Sequence, residues 1–112
     1  MITVRKATCE DSDFAYQAKK ASFRQYAEKV WGWDESEQQR LHEKRFDVRS
    51  FEIIQYNGNE VGVLCIVEEP DRLIVNQLFI LPEYQSKGIG KVCMQIVIQR
   101  ANKAALPIRL KV

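Results

Sequence analysis

The spacing of apolar positions changes repeatedly along the chain, and each change marks an element. Ile2-Thr3-Val4-Arg5 alternates apolar and polar, which predicts a first strand with one covered face. Residues 8–13 are polar, with Asp11 or Ser12 expected to cap a helix over about 14–30. Phe14, Ala18, Ala21 and Tyr26 are expected on its buried side, and Gly32 to end it. Asp34-Glu35-Ser36-Glu37 has the spacing of a capping box and predicts a second helix to about residue 46, with Leu41 and Phe46 facing inward. Residues 51–56 read as a second strand. Asn57-Gly58 reads as a hairpin turn, because both residues tolerate positive φ. Residues 60–68 form the third strand. Its core from Val61 to Val67 is apolar throughout, so it is expected to lie centrally.

The next segment organises the rest. Residues 73–81 read as a strand that Pro82 ends, because proline has no N–H for a ladder. A loop over 82–90 carries Gly88 and Gly90, and a helix starts at about Lys91. Cys93, Met94, Val97, Ile98, Ala101, Ala104 and Ala105 share one expected face, with Gln95, Gln99, Asn102 and Lys103 opposite. Leu106-Pro107 stops the helix, and residues 108–112 begin a fifth strand. The order is β-α-α-β-β-β-α-β, an α/β (α+β) arrangement in a single domain over 1–112.

Composition narrows the field without naming a function. A chain of 112 residues supports one small core. The net charge of +2, with no basic stripe, argues against a nucleic-acid partner. No stretch is long and apolar enough for a membrane span, and the first residues lack a signal-peptide pattern. Cys9, Cys65 and Cys93 form no C-x-x-C pair, so reduced thiols in the cytoplasm are expected, with no metal site.

The strand–glycine loop–helix segment carries the chemistry. Glycines let backbone approach a ligand closely, and the following helix start offers unpaired amides and a positive dipole end. Together these suit a phosphate or pyrophosphate, with Lys87 and Lys91 adding charge. A P-loop would need glycine where Gln85 stands and Ser or Thr where Val92 stands. A dinucleotide fingerprint would need glycine or alanine where Cys93 stands. The spacing that fits is Gln85-x-x-Gly88-x-Gly90 after a strand and before a helix. The stretch from Leu78 to Gly90 resembles the fourth strand and pyrophosphate loop of the GCN5-related N-acetyltransferase (GNAT) superfamily.

That resemblance implies a mixed, mostly antiparallel sheet with helices on both faces, and acetyl-CoA as donor. Backbone amides from Gln85, Ser86, Lys87, Gly88, Ile89, Gly90 and Lys91 would hold the pyrophosphate. The strand edge at Leu78, Phe79 and Ile80 would pair with the pantetheine arm, and one amide near Phe79 or Ile80 would polarise the thioester carbonyl. Relative to the family's usual length, the C-terminal part of the domain is short, and a homodimer is expected to cover the fifth strand. The implied reaction is direct attack by a primary amine of a small molecule or peptide in a ternary complex. The alternative is a shortened domain that binds CoA without turnover.

A general base is not evident. Many family members carry Glu on the fourth strand near the positions held here by Asn76 and Gln77, which would only orient a water. Glu28, Asp34 and Glu35 are carboxylate candidates, each weighed against a surface or capping role. His42 is the single histidine and, on a highly charged helix, is expected in solvent. Tyr26, Trp31, Trp33 and Asp34 are the candidate acceptor residues, since aromatic rings beside carboxylates suit a cationic amine. The competing reading makes the tryptophans core or interface residues. Cys93 falls on the buried helix face, which argues against a covalent acetyl-enzyme.

Overall fold

The structure, a computed structural model, describes residues 1–30, 34–47 and 50–110, with the side chains of 22–30 outside the description. Among the described residues five strands, β1 (Ile2–Lys6), β2 (Phe51–Tyr56), β3 (Asn59–Glu69), β4 (Arg72–Ile80) and β5 (Ile108–Leu110), form one sheet in sequence order. Neighbours from β1 to β4 are antiparallel, and β4–β5 is parallel. Three helices among the same residues, α1 (Ser12–Val30), α2 (Glu35–Arg45) and α3 (Ile89–Ala104), cover it. The element order and the mixed, mostly antiparallel sheet agree with the reading of the sequence.

The alternation of the strands divides the core in two. Phe51, Ile53, Val63 and Cys65 pack with Ala15 and Ala18 of α1. Ile54, Val61, Leu64 and Val75 pack with Ile89, Cys93 and Val97 of α3. Because β3 lies between β2 and β4, its residues Val61–Cys65 are buried on both faces, which explains their unbroken apolar run. The β2–β3 hairpin turns through Asn57 at φ 50° and Gly58 at φ 85°.

Two expected helix faces are corrected. On α1, Ala15, Tyr16 and Ala18 are buried, Phe14 is half-buried and Ala21 is exposed. The buried arc is turned toward Tyr16, because α2 covers that flank while the sheet covers the other. On α3 the buried stripe is Ile89, Cys93, Val97 and Ala101, spaced four apart. Ile98 is 46% exposed, and Ala104 and Ala105 are exposed, since the helix rests on the sheet by this narrow stripe. Ala105 already lies past the helix, in left-handed backbone at φ 57°.

His42 is also corrected. It is 4% exposed, with its ring 5.5 Å from that of Tyr16 and 5.4 Å from that of Phe46. Its Nε2 donates to the Ser12 carbonyl at 2.8 Å, joining the last turns of α2 to the first turn of α1. The charged residues around it on α2 point outward, and the one imidazole fills the seam.

At the N-terminal end, Asp11 is buried and holds both arms of Arg5 at 2.9 Å. The same carboxylate accepts from the Thr8 amide at 2.7 Å. It ties the end of β1 to the entry of α1, and these donors bring its pKa down to about 2.

Candidate functional site

The site grows from the edge of β4. Leu81 donates its amide to Val61 at 2.8 Å, and the Phe79 carbonyl lies 2.4 Å from where a Cβ on Gly62 would stand. The peptides of Phe79 and Leu81 therefore turn toward β3. Strand alternation turns those of Leu78 and Ile80 to the opposite edge. On that edge β5 pairs with Leu73, Ile74 and Val75. A bulge follows: Cys65 pairs with Gln77 and Ile66 with Val75, leaving Asn76 as the extra residue. No described strand pairs with the outer edge of residues 76–80.

Beyond β4 the chain makes one tight helical turn at Pro82–Tyr84, closed by Tyr84 donating to Leu81 at 2.9 Å. The Gln85 side chain reaches back and donates from Nε2 to the outward carbonyl of Ile80 at 3.0 Å. Tyr84 packs on the α3-side core, its ring edge-on to Tyr56 at 6.2 Å. Ser86 at φ 65° and Gly88 at φ 78° then reverse the chain into α3. Ile89, 1% exposed, anchors the helix start.

Gly88 is the N-cap of α3, and Val92 donates to its carbonyl at 3.1 Å. The amides of Ile89, Gly90 and Lys91 precede that bond and have no helical carbonyl behind them. Gly90 stands in the first helical turn, where a Cβ would meet nothing within 4 Å. Its missing side chain leaves open room beside those amides, whereas Gly88 supplies the positive φ. Lys87 and Lys91 are exposed around this mouth. The arrangement is an anion cradle at a helix N-terminus, continuous with the outer edge of β4.

The structure thus brings Leu78, Phe79, Ile80 and Gln85 through Lys91 to one end of β4. Asn76 forms the bulge, and Gln77 lies opposite Cys65 of the α1-side core. Asp34 is exposed and caps α2, accepting from the Glu37 amide at 3.1 Å. Glu35 forms an ion pair with Lys20 of α1 at 2.9 Å. The side chains of Tyr26 and Glu28, together with Trp31 and Trp33, lie outside the described residues. Burial pushes the Cys93 thiol up to about 11, so it stays protonated at neutral pH. The bulge and the Gln85 tie were not legible in the sequence, because each depends on where a partner's backbone lies.

The sequence profile described as the acetyltransferase (GNAT) family matches residues 13–112. The chain belongs to the GNAT acetyltransferase family. Its fold is similar to that of PaiA N-acetyltransferase from Thermoplasma acidophilum, solved in complex with coenzyme A. That match has a TM-score of 0.76 at 16% identity, covering 100% of this chain and 79% of the other. It is also similar to the ribosomal-protein-S18-alanine N-acetyltransferase of Escherichia coli, with a TM-score of 0.74 at 17% identity and coverage of 100% and 67%. A GNAT family protein of Streptococcus pneumoniae matches with a TM-score of 0.61 at 22% identity, covering 100% and 74%. No curated protein matches the sequence. Among the described residues, no helix is long and apolar enough to cross a membrane, and no group of three His, Cys, Asp or Glu could hold a metal.

Proposed function

We propose that this chain transfers an acetyl group from acetyl-CoA to a primary amine by direct attack in a ternary complex. The observation that carries the reading is the continuity of the α3 amide cradle with the outer edge of β4. In the proposed complex the pyrophosphate sits on the amides of Ile89, Gly90 and Lys91, flanked by Lys87. The pantetheine arm runs back along Leu78 and Ile80 as an added strand, which brings the thioester toward the bulge at Asn76. The neutral amine attacks the thioester carbonyl carbon, the C–S bond breaks, and the thiolate takes up a proton. The amine's own proton leaves through water held by Asn76 or Gln77, or to Glu35.

The acceptor is a small molecule or a peptide, and Tyr26, Trp31, Trp33 and Asp34 are its proposed contacts. We place the protein in the cytoplasm, in keeping with buried Cys65 and Cys93 and no disulfide among the described residues. We also propose a homodimer, since Leu110 on the outermost described strand is 62% exposed.

The test is calorimetric titration of the purified chain with acetyl-CoA, CoA and ATP, followed by a thiol-release assay over a panel of amines and peptides. Saturable acetyl-CoA binding with amine-dependent thiol release is expected. CoA binding with no thiol release from any acceptor would favour a binding module, and ATP binding without CoA binding would overturn the reading.

A further inference from the structure

The loop over 82–88 joins the two parts of the site, and little of it is packed. Pro82, Glu83 and residues 85–88 are exposed. Tyr84 and Ile89 are held by apolar packing on the α3 side of the sheet. Between them the chain reverses, and Ser86 takes left-handed backbone at φ 65°, which a residue with a side chain adopts at a cost. Gln85 stands just before that reversal. Its Nε2 donates to the Ile80 carbonyl at 3.0 Å. Among the described residues this is the one side-chain hydrogen bond from the loop to β4.

The carbonyl it engages belongs to the proposed pantetheine edge. Leu81 donates its amide to Val61 of β3, and the Ile80 carbonyl, in the same peptide, points the opposite way. The backbone of Gln85 makes no such tie. Its amide donates to the Pro82 carbonyl at 3.2 Å, which closes the local turn without reaching the strand. The carboxamide therefore fixes the separation between the outer edge of β4 and the backbone that enters the cradle.

We propose that the Gln85 side chain is a positioning residue for the donor, an inference that rests on the acetyl-CoA reading above. A ligand with a pyrophosphate at one end and an extended arm at the other gains from both subsites only when their separation matches its own span. With the clamp in place, the α3 amides and the edge at Leu78 and Ile80 receive the donor as one preformed surface. Without it, the loop must be ordered on binding, and that entropy is subtracted from what the arm contributes. The nucleotide end alone occupies only the cradle, whose amides are held by the helix and by buried Ile89. It does not sense the clamp.

The experiment titrates the full chain calorimetrically with CoA and with 3′-phospho-ADP, which is CoA without its arm. Gln85→Met keeps an unbranched side chain but has no donor, and Gln85→Arg restores an N–H donor. Gln85→Met should weaken CoA about tenfold, the size of one lost hydrogen bond with its ordering, and leave 3′-phospho-ADP within about twofold. The ratio of the two affinities should return toward the wild-type value in Gln85→Arg; taking the ratio cancels the attraction of the added charge for the phosphates. Thermal unfolding midpoints establish that both variants are folded. Equal weakening of both ligands in Gln85→Met would reduce the side chain to a structural role and overturn the inference. So would an unchanged ratio in that variant, no recovery in Gln85→Arg, or a wild-type chain that binds the two ligands equally. A wild-type chain that binds neither would overturn the acetyl-CoA reading itself, and this inference with it.

Discussion

Gly88 enters α3 at φ 78°, a backbone region that L side chains adopt at a cost of about 1–2 kcal/mol. A Cβ there would meet no neighbour within 4 Å, so the cost is conformational rather than steric. Gly88→Ala should therefore lower stability by about 1–2 kcal/mol and retain some CoA affinity. Gly88→Glu should lose about as much stability but abolish CoA binding, because it places a carboxylate where the pyrophosphate is proposed to lie. Denaturant unfolding and calorimetry on both variants separate the two effects. Unchanged affinity in Gly88→Glu would move the site elsewhere.

Asp11 is the other residue whose conformation decides an observable. Arg5 first, then the Thr8 amide, hold its carboxyl at about 2 against the ordinary 3.8. The folded state thus prefers the ionised form more than the unfolded chain does. Its contribution is fully present above 3.8 and is lost as pH falls through 3.8 toward 2. Urea midpoints across that range should fall steeply in the wild type and less steeply in Asp11→Asn. Parallel profiles would mean that the β1–α1 tie contributes nothing at the junction.

At the scale of elements, the α1–α2 seam depends on His42. Burial lowers its pKa below 6.5, opposed by its bond to the Ser12 carbonyl and assisted by the nearby charge of Lys19. The unfolded chain then takes up the proton first. The seam's contribution is complete above 6.5 and declines as pH falls below 6.5 toward the lower folded value. His42→Gln keeps an N–H donor but does not titrate, so its stability should be flat over that interval; this is read from unfolding midpoints by circular dichroism.

The β3–β4 pair has its own sensitive point. Gly62 faces the Phe79 carbonyl so closely that a Cβ would lie 2.4 Å from it. Gly62→Ala must part the strands or shift Phe79, at about 1–3 kcal/mol. Because Leu78 and Ile80 carry the proposed pantetheine edge, KM for acetyl-CoA should rise in the same variant while the amine KM changes little.

These element-level features also mark how far the linear pattern could be read. The Asn57-Gly58 turn, the D-x-x-E helix start and the apolar run of β3 depend on nearest neighbours, and all were legible. The α1 face and the position of His42 were not. A helix covered on two flanks buries an arc that its own periodicity does not centre, and an imidazole in a charged segment reads as solvated until α2 is laid against Tyr16 and Phe51.

For the whole molecule, the outermost described strand exposes Leu110, and α3 exposes Ile98 on the same side of the sheet. A homodimer that covers these groups should sediment as twice the chain mass at micromolar concentration. Leu110→Lys should shift it toward monomer without unfolding it. A wild-type chain that sediments as a clean monomer would remove the dimer from the proposal.

What the sequence determined by itself is whatever a short window contains. Strand, proline, Gln85-x-x-Gly88-x-Gly90 and helix follow one another, and φ preferences and missing side chains act over a few residues. The tertiary structure alone decided which edge of β4 turns away from β3, where the Asn76 bulge falls, that Gln85 returns to Ile80, and that Glu52 meets Arg100. Each of these is a contact between a segment and a backbone or charge elsewhere. Burial, alternation and pairing can assign such contacts only once the sheet exists.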